Sequence, residues 1–339
     1  MKWPAHKEQQ YSFICAYMDL TNELQIALTS QLNSISHEQL IDAAIAISSR
    51  YRGRENLFGK HFIQNRNEAL AYTVARMPAT FGAVSAALKY ALSCTPSLPL
   101  DISSLIDIGA GTGAATLAAN EQINLHSIIC VEYDTFMKDL GKALMSQSAS
   151  LKKTEWKSLN IAIDDLPWQA DMVIASYVMN ELEEDVQEEI AEKLWLSTKK
   201  VLLFVEAGTP AGYRVINRIR SRLLEYDAHI LAPCPHENEC PITQDDWCHF
   251  TCRIQRNRLH RLAKGGESPF EDEKFSYLAV SKQKVDSNFV RILRHPQIGK
   301  GHIKLELCTK DGLKQITYSK RNGDIYKIAK KADCGDKIE

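Results

Sequence analysis

Between residues 104 and 207 short apolar runs alternate with longer stretches of helical periodicity, the pattern of a parallel sheet with crossover helices. Strands are expected at Leu105 to Ile108, Ser127 to Glu132, Met172 to Ser176 and Val201 to Glu206, with a weaker one at Leu159 to Ile163. Upstream the period is helical. Ser36 and Gln39 form a capping box before a segment whose Leu40, Ala44 and Ile47 share a face. Residues 71–92 also read as helix, but Met77-Pro78 predicts a break into two short helices. Downstream the alternation is of strand type. GHIKLELC ends in an Asp311-Gly312 turn, and LKQITYS, an Asn322-Gly323 turn and IYKIAKKA read as a hairpin.

The first strand of the alternating region runs into DIGAGTGAATLAA. Gly109, Gly111 and Gly113 let the backbone turn tightly and approach a ligand before the next helix starts, with Ala110 between them. Glu132 ends the following strand, where an acid can accept hydrogen bonds from the ribose hydroxyls of a nucleoside. Gly109, Gly111 and Ala114 also satisfy G-x-G-x-x-A, so a nicotinamide or flavin dinucleotide competes for this loop. Asp107 and the form D-x-G-x-G-x-G favour S-adenosylmethionine, a ligand with no pyrophosphate to seat on the helix N-terminus. Ser176, Tyr177 and Asn180 fall at the carboxyl end of a strand, where open α/β sheets bind ligands. Asn-Pro-Pro-Tyr is absent and no cysteine follows FVEAGTPAG in the way expected of a C5-pyrimidine nucleophile, so no catalytic motif for amino or pyrimidine C5 methylation is identified; Tyr177 and Glu181 are the conceivable acid-base groups.

A second cluster of chemistry lies further on. Cys234, Cys240 and Cys248 follow C-x5-C-x7-C in a segment that Pro233, Pro235 and Pro241 keep out of helix. Cys308 offers a fourth thiolate, while Cys252, placed four residues after Cys248 as on one helix face, His236 and His249 are further donors. The spacing suits zinc and iron-sulfur alike. Cys15, Cys94 and Cys130 sit among apolar neighbours and read as inert core thiols.

With 339 residues and 45% hydrophobic content the chain can bury a large core in two or three domains. No apolar run reaches membrane-spanning length. The opening MKWPAHKEQQYSF resembles neither a signal nor a transit peptide, which places the expected location in a cytoplasm, that of a prokaryote, with the nine cysteines reduced. The net charge of −1 conceals an asymmetry: residues 1–200 hold 17 basic against 24 acidic side chains, residues 201–339 hold 24 against 18. Residues 282–331 carry 13 basic and 4 acidic groups, and the run Arg253 to Lys264 has five basic residues and no acid. Cations flanking a cysteine array point to a phosphate backbone, most simply RNA.

ARMPAT, DIGAGTG, SYVMNEL, EAGTPAG, CPHENECP, WCHF, EDEKFSYLAV and GHIKLELC, spread over most of the chain beyond residue 50, together resemble the methyltransferase-like family of mitochondrial small-subunit ribosomal proteins and assembly factors. The resemblance implies an α/β, class I methyltransferase (Rossmann-like) doubly wound sheet, with an N-terminal helical region and a cysteine-rich, β-containing C-terminal extension. The parts expected are residues 1–100 (helical), 101–230 (cofactor-binding), 231–280 (cysteine-rich and basic) and 281–339 (basic β segment). It also implies S-adenosylmethionine held by Asp107, Gly109, Ala110, Gly111, Gly113, Glu132 and Ser176, and a [4Fe-4S] cluster, or zinc in its place, on Cys234, Cys240, Cys248 and Cys308. The partner implied is rRNA of the small ribosomal subunit and its assembly intermediates, met by a monomer that either methylates or monitors it.

Overall fold

In the computed structural model of the chain, residues 22–52, 62–94, 101–243, 245–256, 260–261, 267–285 and 288–338 are described. The N-terminal helices are α1 (Asn22–Leu32), α2 (His37–Arg52) and α3 (Arg66–Leu92). The capping box forms as the sequence predicts: Gln39 N donates to Ser36 Oγ at 3.2 Å and Ser36 N to Gln39 Oε1 at 3.0 Å. The predicted break at Pro78 does not occur, for α3 is continuous through it. Pro78 removes one ladder bond at a cost of about 3 kcal/mol. Burying Met77, Phe81, Val84 and Leu88 on the same helix offsets that, each contributing about 1.5–3 kcal/mol.

The strands and helices of the α/β part follow as β1 (Ser104–Ile108), α4 (Ala114–Gln122), β2 (Ser127–Val131), α5 (Thr135–Met145), β3 (Glu155–Lys157), β4 (Ala170–Ser176), α6 (Glu184–Leu196), β5 (Thr198–Ala207), α7 (Pro210–Leu224), β6 (His229–Ala232), β7 (Phe250–Gln255) and β8 (Phe270–Ser281). They build one sheet in the order β3-β2-β1-β4-β5-β8-β6, with β7 beside β8. Strands β1 to β5 pair in parallel, and β8 runs antiparallel to β5, β6 and β7. This is the class I methyltransferase arrangement. Every residue of β4 is buried, as a central parallel strand covered on both faces must be. One face packs under α3, α4 and α5, the other under α6 and α7.

The weak strand expected at Leu159 to Ile163 is instead a turn, and the third strand lies earlier, at Glu155–Lys157. Asn160 explains the shift: its Oδ1 accepts Ala162 N at 3.1 Å and its own N–H donates to Asp164 Oδ2 at 2.8 Å, local bonds that compete with a ladder. Residues 231–280, set apart in the sequence by their cysteines, contribute β7 and β8 to the main sheet.

A second, five-stranded sheet contains β9 (Val290–Ile292), β10 (Gln297–Gly299), β11 (His302–Thr309), β12 (Gly312–Ser319) and β13 (Lys337–Ile338), with helix α8 (Asp324–Lys331) against it. Its small core holds Ile292, Ile303, Leu305, Leu307, Ala329 and Ile338. The hairpin is β11–β12, turning at Asp311-Gly312, where Gly312 has φ 110°. The second hairpin predicted around Asn322-Gly323 is absent: Asn322 Oδ1 accepts Ser319 N at 2.7 Å, closing a 3-10 turn, and α8 follows.

The carboxyl end of β5 carries an acid inside the core. Glu206 is 0% exposed; its Oε1 accepts Met179 N at 2.8 Å and its Oε2 accepts Asn180 Nδ2 at 2.6 Å, which fixes the turn after β4. Burial raises its pKa from the ordinary 4.5 to about 8. The folded chain therefore keeps a proton that the unfolded chain releases above about pH 4.5, and Glu206's contribution to stability declines as pH rises towards about 8. Denaturant midpoints of wild type measured between about pH 5 and pH 8 should fall with pH, and Glu206→Gln should fall less steeply. Equal slopes would show that Glu206 does not titrate in this window.

Candidate functional site

The cofactor edge is built by two adjacent strand ends. Asp107 pairs with Ile174 and Ile108 with Ala175, so the glycine loop after β1 and Ser176 at the end of β4 emerge side by side. Gly109, Gly111 and Gly113 have φ 62°, 56° and 88°, the left-handed region that favours glycine. A Cβ on Gly109 would stand 2.7 Å from Val178 Cγ2, so the loop closes against the turn after β4. Ala110 N donates to Val131 O at 3.0 Å and Gly111 N to Glu132 Oε2 at 2.7 Å, tying the loop to β2.

Asp107 does not face the cleft. It is fully buried, and its Oδ2 accepts Thr116 N at 3.0 Å and Thr116 Oγ1 at 2.7 Å, clamping α4 to β1. Its Oδ1 is buried without a partner, and burial lifts its pKa to about 7. Glu132 is half-buried; its Oε1 accepts Asp134 N at 2.7 Å, and burial raises its pKa. Two backbone donors leave a carboxylate about two further acceptor positions, enough for a pair of ribose hydroxyls. Glu181 follows in the turn after β4, and desolvation, then the Glu132 charge, raise it to about 7. Ser176 is buried in the wall beside them.

Tyr177 is held out of reach of an acid-base role. It is a non-glycine residue with φ 58°, its hydroxyl donates to Glu273 Oε1 at 2.9 Å, and the Arg76 guanidinium lies 5.5 Å from its ring centre while pairing with Glu273 at 3.1 Å. Burial pushes its phenol well above the usual range. Backbone strain of this kind persists only where surrounding contacts over-determine it. Arg76, Glu273 and Glu206 went unread in the sequence. The available signal was an acid or cation inside an apolar run, as in VLLFVEA.

Cys234, Cys240, Cys248 and Cys308 line one cavity between α7, β8, β9 and β11. The first three come from the β6–β7 connection and the fourth from β11, in the other sheet. The connection is pinned throughout: Arg220 donates to His236 O at 3.1 Å, Trp247 Nε1 to Gly208 O at 2.9 Å and Ser276 Oγ to Cys248 O at 2.7 Å. Tyr213 Oη donates to Cys240 Sγ at 3.2 Å, and His236 Nε2 lies 3.6 Å from Cys308 Sγ. Burial raises Cys234, raises Cys248 strongly and takes Cys308 to about 12, with the neighbouring sulfurs adding to each. Among the described residues, no three His, Cys, Asp or Glu side chains converge as a single ion would require.

The remaining donors separate from this group. Cys252 is on strand β7, not a helix, and packs on α3, where a Cβ at Gly82 would meet its Sγ at 3.2 Å. His249 stacks on Trp247 with ring centres 5.2 Å apart. Cys94 and Cys130 are buried as core thiols; Cys15 lies outside the described residues. The basic run from Arg253 is partly neutralised, since Arg253 pairs with Asp272 at 2.7 Å and Arg256 with Glu271, while residues 257–259 and 262–266 lie outside the described residues. On the second sheet and α8, Lys310, Lys320, Arg321, Lys330 and Lys331 are exposed, and none makes an ion pair among the described residues.

Residues 66–339 match the family described as mitochondrial small ribosomal subunit Rsm22. Among curated proteins the chain is 26% identical over 289 residues to the human mitochondrial ribosome assembly protein METTL17, covering 79% of this chain and 62% of that protein. It is 23% identical over 321 residues to the mitochondrial Rsm22-cox11 tandem protein 2 of Schizosaccharomyces pombe, covering 79% of this chain and 43% of that one. The chain thus spans about two-fifths to three-fifths of the length of these relatives. Among solved structures, magnesium protoporphyrin IX methyltransferase from Synechocystis PCC 6803 with bound SAM is 12% identical, with 78% of this chain and 99% of that chain covered and a TM-score of 0.40. The family match takes in the glycine loop, Glu132 and all four cavity cysteines, and on it this chain belongs to the Rsm22 family.

Proposed function

We propose that this protein binds S-adenosylmethionine at the carboxyl edge of its main sheet and acts on the small ribosomal subunit during its maturation, with a [4Fe-4S] cluster on Cys234, Cys240, Cys248 and Cys308. The observation that carries the cluster reading is the gathering of four cysteines, from one connection and one distant strand, around a single cavity. A lone zinc ion needs its thiolates about 2.3 Å from one centre, hence about 3.8 Å from one another. A four-iron cluster takes one thiolate per iron, so its ligands ring a volume rather than a point. Four cysteines spread around one cavity suit the second geometry. Bound there, the cluster would supply a covalent cross-link between the β6–β7 connection and the second sheet, together with a redox centre. The chain's own part is to bury the ligands, hold their backbone and exclude water.

At the cofactor edge, Gly109 to Gly113 and Glu132 fit a nucleoside without a pyrophosphate, and Val178 limits the space over the loop. The family match supports the ribosomal role, as does the printed description of the human relative as a ribosome assembly protein. A second reading, binding without methyl transfer, is favoured by Tyr177: its hydroxyl is engaged by Glu273 and leaves Glu181 as the open acid.

Titration calorimetry should show heat on adding S-adenosylmethionine and none on adding NAD. Gly109→Ala should weaken binding at least about tenfold, because a side chain at positive φ strains the loop. Binding of NAD alone would replace this reading with a redox one. Anaerobically purified protein should contain about four irons and four sulfides per chain, lost in Cys240→Ser; stoichiometric zinc without iron would exclude the cluster. Charge reversal of Lys310, Lys320 and Arg321 together should weaken binding to small-subunit rRNA and reduce the salt slope by roughly 2–3. Unaltered affinity in that variant would move the RNA surface elsewhere.

A further inference from the structure

Two arginines share the wall of the four-cysteine cavity: Arg220 on α7, 4% exposed, and Arg291 on β9, 0% exposed. Among the described residues neither lies within ion-pair distance of a carboxylate. Arg291 donates to Pro233 O at 3.0 Å, Gly335 O at 2.7 Å and Cys94 Sγ at 3.2 Å, with the Phe289 ring 4.8 Å from its guanidinium. Asp336 feels its charge without touching it. Arg220 donates to His236 O at 3.1 Å and Asn238 O at 2.5 Å, and its Nε is buried without a partner. Carbonyl dipoles satisfy donors but supply no counter-charge. A buried, uncompensated cation costs several kcal/mol, and two beside one cavity make an arrangement that its own contacts leave unbalanced.

We infer that Arg220 and Arg291 are built-in counter-charges for a dianionic tetrathiolate group on Cys234, Cys240, Cys248 and Cys308, so that the loaded site is the charge-balanced state of this core. The inference rests on the cysteine reading above. Four thiolates around one zinc ion, or around an oxidised four-iron cluster, carry about two net negative charges, which two guanidinium groups cancel. Reduction of a cluster adds a further negative charge that the same cations stabilise, so they raise its reduction potential. Both arginines are positioning residues: they also hold the carbonyls of Pro233, His236 and Asn238, which shape the ligand loop.

Charge and clamp separate by substitution. Arg→Lys keeps the cation but loses the forked donor; Arg→Met removes both. In full-length protein prepared without oxygen, Arg220→Met and Arg291→Met should lose the bound metal to a competing chelator roughly 10- to 100-fold more readily than wild type. Arg220→Lys and Arg291→Lys should recover most of that loss. Where the metal is iron, the Met variants should also show a more negative reduction potential; where it is zinc, the chelator competition alone decides. Met variants that retain metal with wild-type affinity, or Lys variants that lose it as readily as Met variants, would overturn the inference. Should Arg291→Met not fold, the two Arg220 variants make the same comparison. Wild-type protein that takes up neither iron nor zinc would overturn the cysteine reading itself.

Discussion

The antiparallel strand β8 is the constraint on which both candidate sites depend. Over Phe275 to Ser281 it pairs with β5. Ahead of that stretch, Glu273 reaches Tyr177 and Arg76 beside the cofactor edge, and Lys274 O accepts Gly208 N at 2.8 Å. Three residues past Glu273, Ser276 holds Cys248 O. The register is fixed by burial, because Phe275, Tyr277 and Ala279 pack on one core and Leu278 and Val280 on the other. A slip of one residue would exchange these faces and pull Glu273 and Ser276 out of both sites.

Buried ionisable groups recur at each point where the molecule is not simply packed. Asp107 clamps the start of α4, Glu206 fixes the turn after β4, and Glu273 immobilises Tyr177 against Arg76. Asp107 and Glu206 are set in the apolar core and Glu273 is half-buried at its edge, each tolerated because hydrogen-bond donors meet it and, for Glu273, a cation as well. Arg220 and Arg291 differ in facing backbone carbonyls with no carboxylate within ion-pair distance among the described residues, and that difference makes them informative about the cavity they line.

Much of the α/β part was legible in the sequence because its physics is local. Central parallel strands are covered on both faces, so VLLFV and MVIA show as unbroken apolar runs; the left-handed loop needs glycine; Ser36 and Gln39 cap a helix through bonds three residues apart. The misreadings are places where a distant contact or a local side chain overrode periodicity. Pro78 stays helical because the core closes around α3, and Asn160 and Asn322 spend their side chains on turns that propensity alone does not reveal. The cysteines were visible as spacing. Their bringing together depends on residues 74 positions apart in sequence, Cys234 and Cys308, and on arginines whose partners are backbone carbonyls, which leave no compositional trace.

One consequence concerns the order of synthesis. β13 completes the second sheet by pairing Lys337 with Arg291, and the carbonyl of Gly335 is what holds one arm of that arginine. A nascent chain can finish the glycine loop, and β1 to β5 around it, well before the segment 335–338 exists, but Arg291 in the wall of the cysteine cavity lacks its Gly335 and β13 partners until that segment has been made. Any metal held by these cysteines would therefore meet a finished site only once segment 335–338, which lies downstream of all four, has been made.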